Sequence, residues 1–223
     1  MLSIQTDEFL ESIQKGDKTK VNQLLARNPE LANTKNKDGV SVILHAFYYG
    51  QPDIARAIAE KKKDPDVFEA GVLGKLDKVK SLVTRDHSLV GSYSPDGFSV
   101  LALSAYLGQK DVTEYLIANG ADVNAVAKNP TGFTALTGAT ANNHTEIAKM
   151  LVNNGANVNH RYEEGVSPLM EASLNGNVEL VRFFLEKGAD PNAKMKDGKS
   201  PLSFAREKNH TAVVDILKKN GAI

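Results

Sequence analysis

Apolar residues recur along most of this chain at positions one helical turn apart. The clearest stretches contain Val112, Leu116 and Ile117; Ile147, Leu151 and Val152; and Leu180, Val181, Phe184 and Leu185. Apolar side chains at this spacing lie on one face of an α-helix. Each stretch therefore predicts an amphipathic helix that packs against the rest of the protein through that face.

A second group of helices is predicted from the residues at their ends. A hydroxyl residue precedes five further apolar stretches, at Ser41, Ser99, Thr134, Ser167 and Ser200. Such a side chain accepts a hydrogen bond from a free N–H in the first helical turn. A Gly or Asn follows each of these residues nine positions later, namely Gly50, Gly108, Asn143, Gly176 and Asn209. Two less regular units supply Gly16 and Gly74. Gly and Asn most readily adopt the left-handed conformation that ends a helix, so the pattern predicts helix–turn–helix units.

The units repeat at a nearly constant interval. "NGADVNA" at 119–125 recurs as "NGANVNH" at 154–160 and as "KGADPNA" at 187–193. The glycines of this segment, Gly120, Gly155, Gly188 and Gly221, are 35, 33 and 33 residues apart, and Gly97, Gly132, Gly165 and Gly198 follow the same steps. A fixed period of this length is typical of proteins built from stacked helical repeats.

The pattern resembles the ankyrin repeat, which has a period of about 33 residues and the signature T-P-L-H-x-A. The closest matches are "SPLMEA" at 167–172, "SPLSFA" at 200–205 and "TALTGA" at 134–139. The resemblance implies an all-α solenoid of about seven helix–turn–helix units joined by β-hairpin-like loops. We expect a single domain over residues 1–223, residues 1–6 outside the first helix, and units near 7–37, 38–64, 65–95, 96–128, 129–161, 162–194 and 195–223.

Two features depart from the family pattern. The signature histidine is replaced in six units by Leu44, Phe68, Ala102, Thr137, Met170 and Ser203, which puts the usual histidine bridges between units in doubt. One join is also shortened, since Ile43 and its equivalent Val67 are only 24 residues apart. Small stand-alone ankyrin proteins of bacteria are similar in this respect. We interpret Lys61, Lys62 and Lys63, within this join, as favourable charges at a helix C-terminus rather than as a docking site.

Composition narrows the classes of function. Lys plus Arg and Asp plus Glu both number 27, and cysteine is absent. A balanced charge argues against a nucleic-acid or membrane-surface protein, and the lack of cysteine excludes disulfides and thiolate sites. No secretory signal, membrane-spanning stretch or catalytic motif is recognisable. We expect a cytoplasmic, monomeric protein that is not an enzyme and needs no cofactor or metal, with His144 and His210 in structural roles.

The aromatic stretch "HAFYYG" at 45–50 raises the possibility of a binding surface. Gly50 is the interhelical turn, so we expect Ala46 and Phe47 in the core. In ankyrin-like stacks the two residues before the turn face the concave groove. The resemblance therefore places apolar residues before the turns on this groove, and the phenylalanines that follow two hairpin glycines extend the same surface. The predicted partner-binding residues are Tyr48, Tyr49, Leu73, Phe98, Tyr106, Leu107 and Phe133. The alternative is that these side chains complete the core.

The sequence thus favours a non-catalytic module that binds an unidentified protein partner through its groove. Two alternatives stay open: a regulatory subunit of a separate enzyme, and a small-molecule-binding protein or enzyme with an unrecognised site. The loop between Asn124 and Gly132 is two residues longer than its counterparts. We expect this insertion to be tolerated and its shortening to leave the melting temperature nearly unchanged.

Overall fold

The computed structural model describes residues 2–223, and in this range the chain forms seven pairs of antiparallel α-helices. The first helices of the pairs are α1 (Leu2–Gln14), α3 (Val42–Tyr48), α5 (Val67–Val72), α7 (Val100–Tyr106), α9 (Ala135–Ala141), α11 (Pro168–Leu174) and α13 (Pro201–Glu207). The second helices are α2 (Lys18–Arg27), α4 (Pro52–Lys61), α6 (Leu76–Arg85), α8 (Lys110–Ala118), α10 (Thr145–Asn153), α12 (Val178–Glu186) and α14 (Thr211–Lys219). First helices stack on first helices throughout, and second helices stack on second helices on either side of the step from α4 to α6, so the described chain is an all-helical solenoid.

The residues at the helix ends behave as the sequence predicts. All five hydroxyl residues accept a hydrogen bond from the backbone N–H three positions on. All seven interhelical turn residues have positive φ, including Asn143 at 60° and Asn209 at 58°. The turns therefore follow from local chemistry, because few other residue types tolerate this conformation.

The start of the first helix differs from the prediction. α1 begins at Leu2, so residues 2–6 lie inside the helix and only Met1, outside the described residues, remains of the expected leading segment. Glu8 forms an ion pair with Lys20 of α2 at 2.6 Å. Asp7 and Glu8 thus belong to the middle of a helix rather than to its first turn.

Five loops, here called fingers, precede α3, α7, α9, α11 and α13 and span residues 34–41, 92–99, 127–134, 160–167 and 193–200. Isolated antiparallel bridges close three of them, at Lys35–Ser41, Tyr93–Ser99 and Tyr162–Val166. Single backbone hydrogen bonds link the last four fingers in order: Lys128 N–H to Gly97 O, Glu163 N–H to Thr131 O, and Lys196 N–H to Glu164 O. No backbone hydrogen bond among residues 2–223 joins the α3 finger to the α7 finger.

The shortened join between α4 and α5 has no finger. Asp66 is the N-cap of α5, eight residues before the turn at Gly74 instead of nine, which makes this helix one residue shorter than α3. Lys61 ends α4 as predicted, but Lys62 has another role, since its ammonium pairs with the fully buried carboxylate of Glu69 at 2.6 Å. The join is held by a buried ion pair in place of a finger.

The buried apolar side chains form two clusters. One runs from Phe9 to Ala59 through the first two helix pairs and includes Val72 and Leu103. The other extends from Val67 to Ala222 through the remaining five pairs. The two clusters meet around α5 and α7, next to the missing finger.

Asparagine side chains reinforce the stack between its last four units. Asn124, Asn159 and Asn192 each donate from Nδ2 to a glycine carbonyl of the next unit, at 2.9 Å. The Oδ1 atom of each accepts a backbone N–H from the same neighbouring unit at 2.8–3.0 Å. Each asparagine thereby ties two consecutive units together with both ends of its amide.

Candidate functional site

Two adjacent tyrosines at the end of α3 lie on the surface. Gly50, with φ of 68°, ends the helix immediately after them. The side chain of Tyr48 is 42% exposed and that of Tyr49 48%, whereas Ala46 is fully buried. Phe47 was expected in the core and is only half-buried, packed against the edge of the N-terminal cluster. Of the four exposed large apolar residues in the described chain, these tyrosines are the only adjacent pair.

The missing finger brings units two and four together. A Cβ built on Gly39 in the α3 finger would lie 3.4 Å from Cβ of Pro95 in the α7 finger, so these two fingers are neighbours. As a result Tyr48 of unit two approaches Phe98 of unit four, with ring centroids 6.5 Å apart. A regular unit would have placed its own finger between them.

A cavity of about 330 Å³ opens at this junction. Four aromatic rings contribute to its wall, together with two side chains of α7 and two polar residues of the fingers. The lining residues are Tyr48, Asp96, Phe98, Ala102, Leu103, Tyr106, Thr131 and Phe133. The rings of Phe98 and Phe133 stand at 90° to each other, with centroids 6.2 Å apart. The cavity is thus largely apolar, with a single charged group.

That charged group is the carboxylate of Asp96. Its Oδ1 accepts a hydrogen bond from Ser94 Oγ at 2.6 Å, and its backbone carbonyl accepts one from Asn129 Nδ2 at 2.7 Å. The Tyr48 hydroxyl also faces this carboxylate. Desolvation, followed by the hydrogen bond to Asp96 and its negative charge, raises the pKa of the Tyr48 phenol above its ordinary value. The Tyr48 phenol is therefore neutral at physiological pH.

The aromatic row continues beyond the residues that the sequence singled out. The rings of Phe133 and Tyr162 have centroids 4.8 Å apart, and Tyr162 is 5% exposed. Its hydroxyl donates to the carboxylate of Glu171. Burial and this hydrogen bond raise the pKa of Tyr162. Val166, rather than Tyr162, is the residue that follows its finger glycine as Phe98 and Phe133 do. Tyr162 reaches the row because it pairs with Val166 across the α11 finger, so the glycine series does not single it out.

The predicted partner-binding residues do not all come together. Tyr48, Phe98, Tyr106 and Phe133 line one cavity, whereas Tyr49 lines a separate cavity between α1 and the α3 finger, to which Tyr48 also contributes. Leu73 and Leu107 do not line the cavity; both are half-buried and pack against the N-terminal core cluster. At the equivalent positions further along the stack, Asn142 and Asn175 are exposed and polar. The aromatic surface is therefore confined to the region around units two, four and five.

Comparison with known proteins agrees with this architecture. Residues 67–162 match a family model described as ankyrin repeats (3 copies), and residues 151–205 match one described as ankyrin repeats (many copies). Together the two matches span more than half of the chain. The chain belongs to the ankyrin repeat family. Ankyrin repeats are generally protein–protein interaction modules and are typically non-catalytic.

Two curated proteins are similar to a short part of the chain. Ankyrin repeat and SAM domain-containing protein 6 of Danio rerio is 40% identical over 65 residues, which is 29% of this chain and 9% of that protein. Alpha-latrocrustotoxin-Lt1a of Latrodectus tredecimguttatus is 42% identical over 62 residues, or 28% of this chain and 4% of the toxin. The chain thus covers less than a tenth of the length of either relative.

The ankyrin signature histidine is absent, but other side chains bridge the units. His144 Nε2 lies 3.0 Å from the Tyr106 carbonyl oxygen, and His210 Nε2 lies 3.0 Å from that of Leu174. Gln109 Nε2 donates to Val72 O at 2.9 Å from the equivalent turn. The structural role predicted for the two histidines is confirmed.

A buried histidine was missed in the sequence. His45 is 6% exposed, its Nε2 lies 3.3 Å from Gln14 Nε2, and its ring centroid is 4.8 Å from that of Tyr49. Burial lowers the pKa of His45.

Within residues 2–223, no group of three or more His, Asp or Glu side chains is arranged to hold a metal. No helix in that range is both long and apolar enough to cross a bilayer.

Proposed function

We propose that this ankyrin repeat protein is a non-catalytic interaction module that binds a protein partner through a concave groove formed by its fingers and the ends of its first helices. The observation that carries the proposal is the exposure of Tyr48 and Tyr49, at 42% and 48%, with Tyr48 in the wall of the aromatic cavity. Contiguous exposed apolar surface usually marks an interaction site, and Tyr is enriched among the residues that contribute most to binding.

A partner-capture experiment tests the proposal. The immobilised chain should retain a stoichiometric partner from cells of its own source, and the double variant Tyr48→Ala/Tyr49→Ala should lose it. Hot-spot truncations cost at least about 2 kcal/mol of binding free energy, which weakens the complex roughly 30-fold. Val126→Ala is the control, since Val126 is equally exposed at 43% but lies away from the cavity. Undiminished capture by the double variant contradicts the proposal.

A second candidate is a small-molecule-binding protein, because the cavity of about 330 Å³ lies within the range of about 300–1,000 Å³ typical of ligand pockets. A metabolite that stabilises the chain against heat, in the absence of any partner protein, would favour this second candidate.

The lack of cysteine is compatible with a reducing compartment, and we infer a cytoplasmic monomer. Light scattering at increasing concentration tests the monomeric state.

A further inference from the structure

The chemistry of the cavity restricts what the groove binds. Asp96 is the only ionisable group of either sign, apart from the tyrosine phenols, among the residues that line it. Within residues 2–223, no Lys, Arg or His nitrogen lies within ion-pair distance of the Asp96 carboxylate. The carboxylate accepts a hydrogen bond from the hydroxyl of Ser94 on its own finger, and Tyr48 lines the same cavity from the other side of the gap.

The surrounding rings suit a cation rather than a neutral group. The face of an aromatic ring carries partial negative charge and attracts cations within about 6 Å. Phe98 and Phe133 stand at right angles, and Tyr48 and Tyr106 complete the wall. A carboxylate among such rings offers both an ion pair and cation–π contacts to one occupant.

Among biological cations, the guanidinium group of arginine fits this wall best. It is planar and weakly hydrated, it stacks on aromatic rings, and it donates several hydrogen bonds to a carboxylate. The ammonium of lysine is a compact and strongly hydrated charge, so it loses more hydration on entering a largely apolar cavity. Arg is also one of the residues that contribute most at protein interfaces.

Asp96 is held ready for such a contact. The Asn129 amide donates to its backbone carbonyl at 2.7 Å, and Ser94 Oγ donates to the Asp96 carboxylate at 2.6 Å while accepting the Phe98 N–H at 3.1 Å. The cavity also lies where the absent finger leaves units two and four in direct contact. Preorganised groups bind more tightly because less freedom is lost on association.

We propose that this cavity receives an arginine side chain of the protein partner, with Asp96 as its counter-charge and the surrounding rings as its stacking surface. The inference rests on the proposed function and specifies the chemistry of the partner segment. It requires a basic peptide region with an exposed arginine, and it assigns the cavity to a peptide rather than to a free metabolite.

Three short peptides test the proposal: acetyl-Gly-Gly-Arg-Gly-Gly-amide and its citrulline and lysine counterparts. Citrulline has the shape of arginine but no charge. Binding to the full chain is followed by NMR through the methyl signals of Ala102 and Leu103, which line the cavity. The arginine peptide should bind saturably, about tenfold or more tighter than the citrulline peptide and about threefold or more tighter than the lysine peptide.

Two variants and a control identify the groups responsible. Asp96→Asn should abolish the preference for arginine over citrulline, and Phe98→Leu, which keeps an apolar wall, should reduce it severalfold. Asp197→Asn is the matched control, because Asp197 also precedes the finger glycine but lies on the α13 finger, outside the cavity. Circular dichroism melting of each variant verifies that it is folded.

Several outcomes would overturn the proposal. They are equal affinity for arginine and citrulline, equal affinity for lysine, an unchanged preference in Asp96→Asn, and no saturable shift up to about 10 mM peptide. If Tyr48→Ala/Tyr49→Ala still loses its partner in any of these cases, the proposed interaction surface is supported and only the arginine-binding proposal is wrong. If partner capture survives that double variant while arginine binds the cavity, the proposed function fails instead.

Discussion

The ammonium of Lys62 lies 2.6 Å from Oε1 of Glu69, and the two side chains are only 11% and 0% exposed. The other carboxylate oxygen of Glu69 accepts the Asp66 N–H at 3.0 Å, while Asp66 Oδ1 accepts the Glu69 N–H at 2.9 Å. One carboxylate thus connects the end of α4 to the start of α5 across the join that lacks a finger.

We expect Glu69→Ala to lower the free energy of unfolding by about 3–5 kcal/mol, because Lys62 would be left enclosed without its counter-charge. Urea denaturation measures the change. Glu207→Ala is the control, since Glu207 pairs with Lys199 on the surface and exposed pairs contribute at most about 1 kcal/mol. Similar losses in the two variants would mean that the buried pair has no special role.

Acid should destabilise the fold through His45. Burial lowers its pKa in the folded chain, so the unfolded chain binds the proton more readily. The unfolding free energy should therefore fall as the pH drops below about 6.5, the ordinary histidine pKa, and continue to fall towards the lower folded-state value. His45→Leu introduces leucine, the residue that α7 carries at the equivalent position, Leu103. This variant should flatten the dependence of the unfolding free energy on pH between pH 7 and 5. His87→Leu, at an exposed histidine, should leave that slope unchanged.

Truncation of aromatic side chains should separate core from surface. Phe184 is fully buried, and Phe184→Ala should cost about 3–5 kcal/mol of stability. Tyr49→Ala should change stability by no more than about 0.5 kcal/mol, and Phe47→Ala should lie between the two because its ring is half-buried. If Tyr49→Ala were as destabilising as Phe184→Ala, Tyr49 would belong to the core.

The long loop before α9 should prove structural, contrary to the tolerance expected from its sequence. Asn129 donates to Asp96 O and Lys128 donates to Gly97 O, both at 2.7 Å, so the loop is bound to the α7 finger. Deleting Asn129 and Pro130 should lower the free energy of unfolding by about 0.5–1.5 kcal/mol, the typical contribution of the one hydrogen bond to the α7 finger that is lost with Asn129. Calorimetry of the deletion variant measures the loss, with Pro130→Ala as the control. An unchanged melting temperature would restore the original interpretation.

Features set by one residue and its neighbours could be predicted from the sequence. Gly108 and Asn143 mark turns because positive φ excludes most side chains, and Ser99 marks a helix start because its hydroxyl reaches the Ala102 N–H. Contacts across a join could not be predicted in this way. The approach of Tyr48 to Asp96 and the pairing of Lys62 with Glu69 both depend on how units stack where the finger is missing, and no local spacing encodes that geometry.

The start of α1 was missed for a related reason. No glycine among residues 2–6 marks a turn, so nothing local distinguishes these residues from a leading segment. Gln5, one of these residues, accepts a hydrogen bond from Asn28 Nδ2, just after the end of α2, at 3.4 Å. That contact is evident only once α1 and α2 are packed together.

The division of the core into two clusters has a consequence for cooperativity. In a stacked array each unit is stabilised mainly by its nearest neighbours. The boundary between the clusters, between Ala59 and Val67, falls where no backbone hydrogen bond among residues 2–223 joins the α3 finger to the α7 finger. The first two helix pairs should therefore open as a block of their own, and their amide protons should exchange before those of α7 to α14. Any molecule seated between Tyr48 and Phe98 touches both blocks, so its binding would delay that opening and make the whole chain melt as one.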